Sequence, residues 1–139
     1  MLKRRAKSAA GPGRRLATAV FLALKLQRPL FLEGEPGTGK TELARACGAK
    51  TVIDNVFATP LLQNPMVLGV DIVVYSTTKH IDGQGRCLGG VVLGPQDWVD
   101  EHLHDFFRHT GPSMSPFNAW VMLKGLETLP LRVAQQTKS

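Results

Sequence analysis

Apolar positions along this 139-residue chain change their period several times, and each change marks an element. Leu16, Ala19, Val20, Ala23, Leu24 and Leu26 recur near helical spacing, which predicts an amphipathic helix through about Gln27, stopped by Arg28-Pro29. Leu30-Phe31-Leu32, Thr51-Val52-Ile53, Ile72-Val73-Val74-Tyr75 and Val91-Val92-Leu93 are instead short continuous apolar runs, mostly β-branched. Such runs predict strands buried on both faces, at about 29–33, 51–54, 71–76 and 88–93, in an α/β layered fold with a mainly parallel sheet and flanking helices. Pro60 and Pro65 predict an irregular crossover, and Gly69 a short helical turn before the central strand. Helical spacing returns from about Gln96 to Arg108, with Trp98, Val99, Leu103, Phe106 and Phe107 expected toward the core. Ser115-Pro116 reads as an N-cap followed by a first-turn proline, opening a helix through Trp120, Leu123 and Leu126. Pro130 is expected to kink or end that helix, and the chain to fray from Gln135.

Charge changes this picture only at the start. Lys3, Arg4, Arg5, Lys7, Arg14 and Arg15 precede residue 16 with no acid among them, while the remaining chain is balanced, so the net charge of +6 does not describe a nucleic-acid-binding face. Residues 1–13 read as a disordered basic tail ended by Gly11-Pro12-Gly13. Arg14-Arg15 before an apolar run has the look of a targeting segment, but Lys25 and Arg28 follow at once and no Ala-x-Ala site appears. No run approaches the ~20 apolar residues of a membrane span. Cys47 and Cys87 lack Cys-x-x-Cys spacing and are expected as buried thiols in a reducing cytoplasm. His102 and His104 are two apart on a helix, face different ways, and do not suggest a shared metal.

Two stretches carry candidate chemistry. In the first, Gly34-Glu35-Pro36-Gly37-Thr38-Gly39-Lys40-Thr41 is a Walker A pattern between a predicted strand and a predicted helix. Glycines let backbone N–H groups curl around phosphate oxygens; with Gly39 shaping the turn, Lys40 would reach the terminal phosphates and Thr41 would hold magnesium, giving an ATP site. In the second, the run Ile72–Tyr75 ends in Ser76, Thr77 and Thr78, then Lys79, then the glycine-rich turn Asp82–Gly85. Asp54 ends an upstream apolar run in the same kind of position. An amine for a Schiff base, a carboxylate for a pyridinium nitrogen and hydroxyls for a phosphate are what pyridoxal 5'-phosphate (PLP) asks of a protein. An isolated loop lysine is ordinarily a solvated one, and it is the acid upstream that changes the reading of Lys79.

The segments Val52–Pro60, Tyr75–Arg86 and His109–Trp120 then carry a family likeness. From about Gly48 to about Gln136 the chain resembles part of the large domain of the Cys/Met-metabolism PLP enzymes, fold-type I transferases. Within them it most resembles the sulfhydrylases that replace succinate in O-succinylhomoserine by sulfide. The resemblance implies Lys79 and Asp54 as catalytic residues. It implies Asp54, Ser76, Thr78 and Lys79 as cofactor ligands, with Thr77 facing away, and a small amino-acid substrate in the cytoplasm with neither nucleic acid nor membrane as partner. Intact members are homo-oligomers, which is doubtful here. The family's upstream phosphate turn, its ring-stacking aromatic, its carboxylate-binding arginine and its neighbour-subunit contacts are not matched, so an impaired or inactive enzyme is expected.

Residues 14–46, from Leu16-Ala17-Thr18 through Lys40-Thr41-Glu42, resemble the Walker A region of a MoxR-type AAA+ ATPase. That family's Asp-Glu strand, sensor and arginine finger are not matched; Asp54 is followed by Asn55. The chain thus reads as a P-loop fragment (14–47) joined to a PLP-transferase fragment (48–136). A P-loop ATP-binding protein and a non-catalytic α/β remnant stay open as alternatives.

Overall fold

A computed structural model describes residues 12–34 and 38–138. The predicted tail thus falls, up to residue 11, outside the described residues, as do three Walker A positions, 35–37. The chain divides into two compact units, Met1–Gly48 and Ala49–Ser139.

In the first unit, α1 (Pro12–Leu26) realises the apolar repeat, begins at Pro12 and is released at Gln27, which takes φ 51°. The strand expected at 29–33 is absent: no strand is assigned there, and Phe31 is 86% exposed. A three-residue apolar run gains strand geometry only from a ladder partner. The helix expected after the Walker A pattern is present as α2 (Lys40–Ala46), preceded by Gly39 at φ 84°.

The second unit holds a three-stranded sheet of order β1-β2-β3 made of β1 (Val52–Asp54), β2 (Ile72–Ser76) and β3 (Gly90–Leu93). β1 and β2 are parallel, with Ile53 beside Val73 and Asp54 beside Val74. β3 runs antiparallel to β2, so the sheet is mixed rather than mainly parallel. The cause lies in the connection: a parallel return needs a crossover, usually a helix, and residues 77–89 contain turns but no helix.

Between β1 and β2 the chain makes the short helix α3 (Thr59–Leu62) and a turn closed by Gly69, whose N–H bonds the Met66 carbonyl at 3.0 Å. At the ends of β1 and β2 remote from Lys79, Asp71 accepts from the Thr51 N–H (2.8 Å), its hydroxyl (2.7 Å) and the Lys50 ammonium (3.0 Å). The Thr51 backbone and side-chain bonds, then Lys50, hold the Asp71 carboxyl down at about 2.

Side chains alternate along a strand, so the register sorts the sheet into two faces. Ile53, Val73, Tyr75 and Val91 share the face that packs with Val56, Val70, Ile81 and Met122, the core of the unit. Asp54, Val74, Val92 and Ser76 share the other.

Helix α4 (Gln96–Val99) passes through a π-helical turn, Asp100–His104, into α5 (Asp105–Thr110). The π turn inserts a residue and breaks the apolar stripe. Phe106 (57% exposed) and Phe107 (39%) therefore do not reach the core as expected, while Trp98, Val99 and Leu103 are half-buried. His102 instead stacks on Trp98, ring centroids 5.0 Å apart.

Ser115 caps α6 (Pro116–Glu127), accepting from the Asn118 N–H at 3.2 Å. Pro130 falls in the first turn of a new helix, α7 (Leu129–Gln136), where its missing N–H costs nothing. The helix continues past Gln135, the point where fraying was expected. Both cysteines are free, and each is half-buried rather than buried.

Candidate active site

The parallel pairing of β1 and β2 brings Asp54 and Ser76 to the same end and the same face of the sheet. Asp54 lies beside Val74, two residues short of Ser76. Lys79 follows in a tight turn: its N–H bonds the Ser76 carbonyl (3.2 Å), Asp82 N–H bonds the Thr77 carbonyl (2.8 Å), and Gly83 N–H bonds the Lys79 carbonyl (2.7 Å). This is the carboxyl end of the parallel strands, the end at which open α/β sheets place their chemistry.

Four of the expected groups are thus gathered, in different states of engagement. Asp54 is exposed and one of its oxygens accepts from the Val56 N–H at 3.0 Å. Ser76 is half-buried and Lys79 exposed, and among the described residues neither side chain has a hydrogen-bond partner. Thr78 is committed to the framework, accepting from the Gly89 N–H at 2.9 Å and donating to the Gly89 carbonyl at 3.3 Å. Thr77 faces the other way, as expected: it is buried, and among the described residues its hydroxyl has no partner.

Sequence reasoning passed over the residues that hold this turn. Asp82, fully buried, accepts from the Arg86 backbone N–H (2.6 Å) and from its Nε (2.7 Å). Burial pushes the Asp82 carboxyl up, but the Arg86 N–H and guanidinium and the Gln84 N–H outweigh it and leave the group below its usual range. Arg132, half-buried on α7, donates to the carbonyls of His80 (2.7 Å), Ile81 (3.1 Å) and Gly125 (2.7 Å) and to the Thr128 hydroxyl (3.1 Å). Gly125 lets α6 touch the turn, since a Cβ there would collide with the Ile81 carbonyl. Asn55 is buried beside Asp54, and its Nδ2 shares two hydrogens among three acceptors, the carbonyls of Thr59 (3.2 Å) and Gln63 (3.0 Å) and the Tyr75 hydroxyl (2.9 Å). The four-residue spacing of Asp82 and Arg86 was a usable signal. Arg132 left none, because the turn carbonyls it holds, His80 and Ile81, lie 52 and 51 residues away.

Comparison with known proteins agrees with the geometry. The family model for Cys/Met metabolism PLP-dependent enzymes matches residues 38–139. The chain belongs to that family. Over 99 residues it is 65% identical to O-succinylhomoserine sulfhydrylase of Mycobacterium tuberculosis, a match covering 71% of this chain and 24% of that protein. The Pseudomonas aeruginosa O-succinylhomoserine sulfhydrylase is 52% identical over 98 residues, covering 70% and 24%. Among solved structures, apo CalE6, a methionine gamma lyase from Micromonospora echinospora, superposes with a TM-score of 0.63 at 34% identity, covering 66% of this chain and 25% of that one. The chain thus spans about a quarter of the length of the relatives it matches, and the fold is part of a fold-type I PLP enzyme.

PLP is the cofactor of this family, and the residues gathered here suit it. Asp54 has a second carboxylate oxygen for a ring nitrogen, the Ser76 hydroxyl can donate to a phosphate, and Lys79 presents an unpaired amine. Lys40 of the Walker A stretch sits differently, its Nζ donating to the Gly34 carbonyl (2.8 Å) and the Thr38 hydroxyl (3.1 Å).

Proposed function

We propose that this chain carries the lysine-bearing part of a PLP-dependent sulfhydrylase acting on O-succinylhomoserine, with Lys79 as the residue that attaches the cofactor. The observation that supports it most is the β1–β2 register, which sets Asp54 and Ser76 on one face at the edge where Lys79 emerges. Bound PLP supplies a protonated ring that takes up the electron pair of a substrate carbanion. Asp54 would hold the ring nitrogen and keep it protonated. Ser76 would donate to the phosphate, while Thr78 fixes the turn through Gly89. The Lys79 Nζ would attach the cofactor and, when free, would remove and return protons at the substrate carbons. The reaction so served exchanges succinate for sulfide at the γ carbon and places the chain in homocysteine formation, in the cytoplasm.

The test is incubation with PLP, borohydride reduction and peptide mass mapping. An adduct concentrated on Lys79 and lost in Lys79→Ala is expected. Adducts spread over Lys50, Lys124 and Lys138 would overturn the reading.

A second reading, a MoxR-type ATP site on a chain of two origins, is supported only by residues 34–41, where Gly39 opens α2 in the left-handed region just ahead of Lys40 and Thr41. Binding of a fluorescent ATP analogue in the presence of magnesium, lost on Lys40→Ala, would carry it. Unchanged binding in Lys40→Ala would end it.

A further inference from the structure

In the turn that carries Lys79 the N–H groups of Lys79, Asp82 and Gly83 bond carbonyls of the turn itself, whereas the carbonyls of His80 and Ile81 point outward to a partner beyond it. Both are taken by one side chain, Arg132, whose planar guanidinium also reaches Gly125 and Thr128. We propose that Arg132 is a positioning residue for Lys79: it fixes the orientation of the turn through its carbonyls and thereby aims the lysine at the edge where Asp54 and Ser76 lie. The proposal rests on the reading of Lys79 as the cofactor's lysine.

Three features support it. The guanidinium is matched to its site as a fork, since three carbonyls and a hydroxyl surround it and a single ammonium cannot reach them together. The turn is shaped to admit it: Gly83 has φ 70°, and a Cβ there would collide with the Arg132 guanidinium. The opposite side of the turn is anchored independently by Asp82 and Arg86, so Arg132 governs the side bearing residues 80 and 81. Among the described residues the Lys79 ammonium has no hydrogen-bond partner, which is what a lysine that must change partners requires.

The experiment compares the full chain with Arg132→Met, Arg132→Lys and Thr128→Val by amide hydrogen exchange and by borohydride trapping with PLP. In Arg132→Met, exchange at the Lys79, Asp82 and Gly83 amides is expected to accelerate about tenfold or more, as loss of charge-assisted hydrogen bonds dictates. The amides of β2 should keep their protection. Preference of trapping for Lys79 over Lys50 and Lys124 should fall by a similar factor, and Arg132→Lys should not restore it. Thr128→Val, which removes one bond of the fork, should give the same pattern at smaller size should the arginine variants fail to fold. Unchanged turn exchange, equal loss of protection in β2, or full rescue by lysine would overturn the proposal. If even the unaltered chain gives no Lys79 adduct, the functional reading fails, while the exchange data still decide whether Arg132 holds the turn.

Discussion

Lys40 and Lys79 each sit beside glycines in a loop between apolar elements, yet the two loops spend their hydrogen bonds in opposite ways. The Lys40 ammonium is turned back on its own loop, bonded to Gly34 and Thr38. In the Lys79 turn the carbonyls of His80 and Ile81 are taken by Arg132, the N–H groups of Lys79, Asp82 and Gly83 bond within the turn, and among the described residues the ammonium has no partner. A loop whose backbone is closed by other residues can hold a reactive group unengaged; a loop that recruits its lysine to close itself cannot. A side chain ready for chemistry is thus a property of the framework around it.

The framework can be broken at its tightest point. Gly125→Ala would press a methyl group into the Ile81 carbonyl and the Asp82 backbone, atoms that cannot swing aside. A loss of about 3 kcal/mol in urea unfolding is expected, with the Lys79 turn the first segment to exchange its amides. Asp82→Asn comes next: it removes the charge that Arg86 pairs with while leaving the shape. About 2 kcal/mol is expected in the same assay, moderated because Arg86 is partly solvated and can return to water.

A pH titration separates the two ends of β1 and β2. Asp71 has a folded-state pKa of about 2, below its unfolded value, so its contribution is complete above about pH 4 and is lost as pH falls toward 2. With its side chain 31% exposed, about 1 to 2 kcal/mol of acid destabilisation is expected in that window. Asp71→Asn should flatten this limb without altering trapping at Lys79, because the Asp71 contacts with Thr51 and Lys50 lie at the other end of the strands. The smallest effect is expected from deleting residues 1–46, which should leave the urea midpoint of the remainder almost unchanged. A large drop would mean that the Lys40 loop is part of the framework that serves Lys79.

Much of this was readable from the chain. The runs at 51–54, 71–76 and 88–93 each contain a strand, the Ser115 cap is where the residues put it, and Asp54, Ser76 and Lys79 converge on one edge. Strand direction was not readable: Val91-Val92-Leu93 is the same apolar run whichever way it lies, and only the helix-free connection decides. Leu30-Phe31-Leu32 shows the reverse failure, a strand-like run without a ladder. Phe106 and Phe107 were misplaced because a π turn leaves no mark in a helical period. Arg132 and Gly125 were invisible because their roles exist only where distant carbonyls meet them.

The order β1-β2-β3 has one more consequence. Among the described residues, each outer strand is paired on one side only, and β3 carries no charged residue along Gly90–Leu93. Such margins are templates on which another extended apolar segment can assemble, whether from a second copy or from a different protein. Crowding rather than heat is then the condition that ends the dispersed chain, and turbidity should climb with concentration well below the melting temperature.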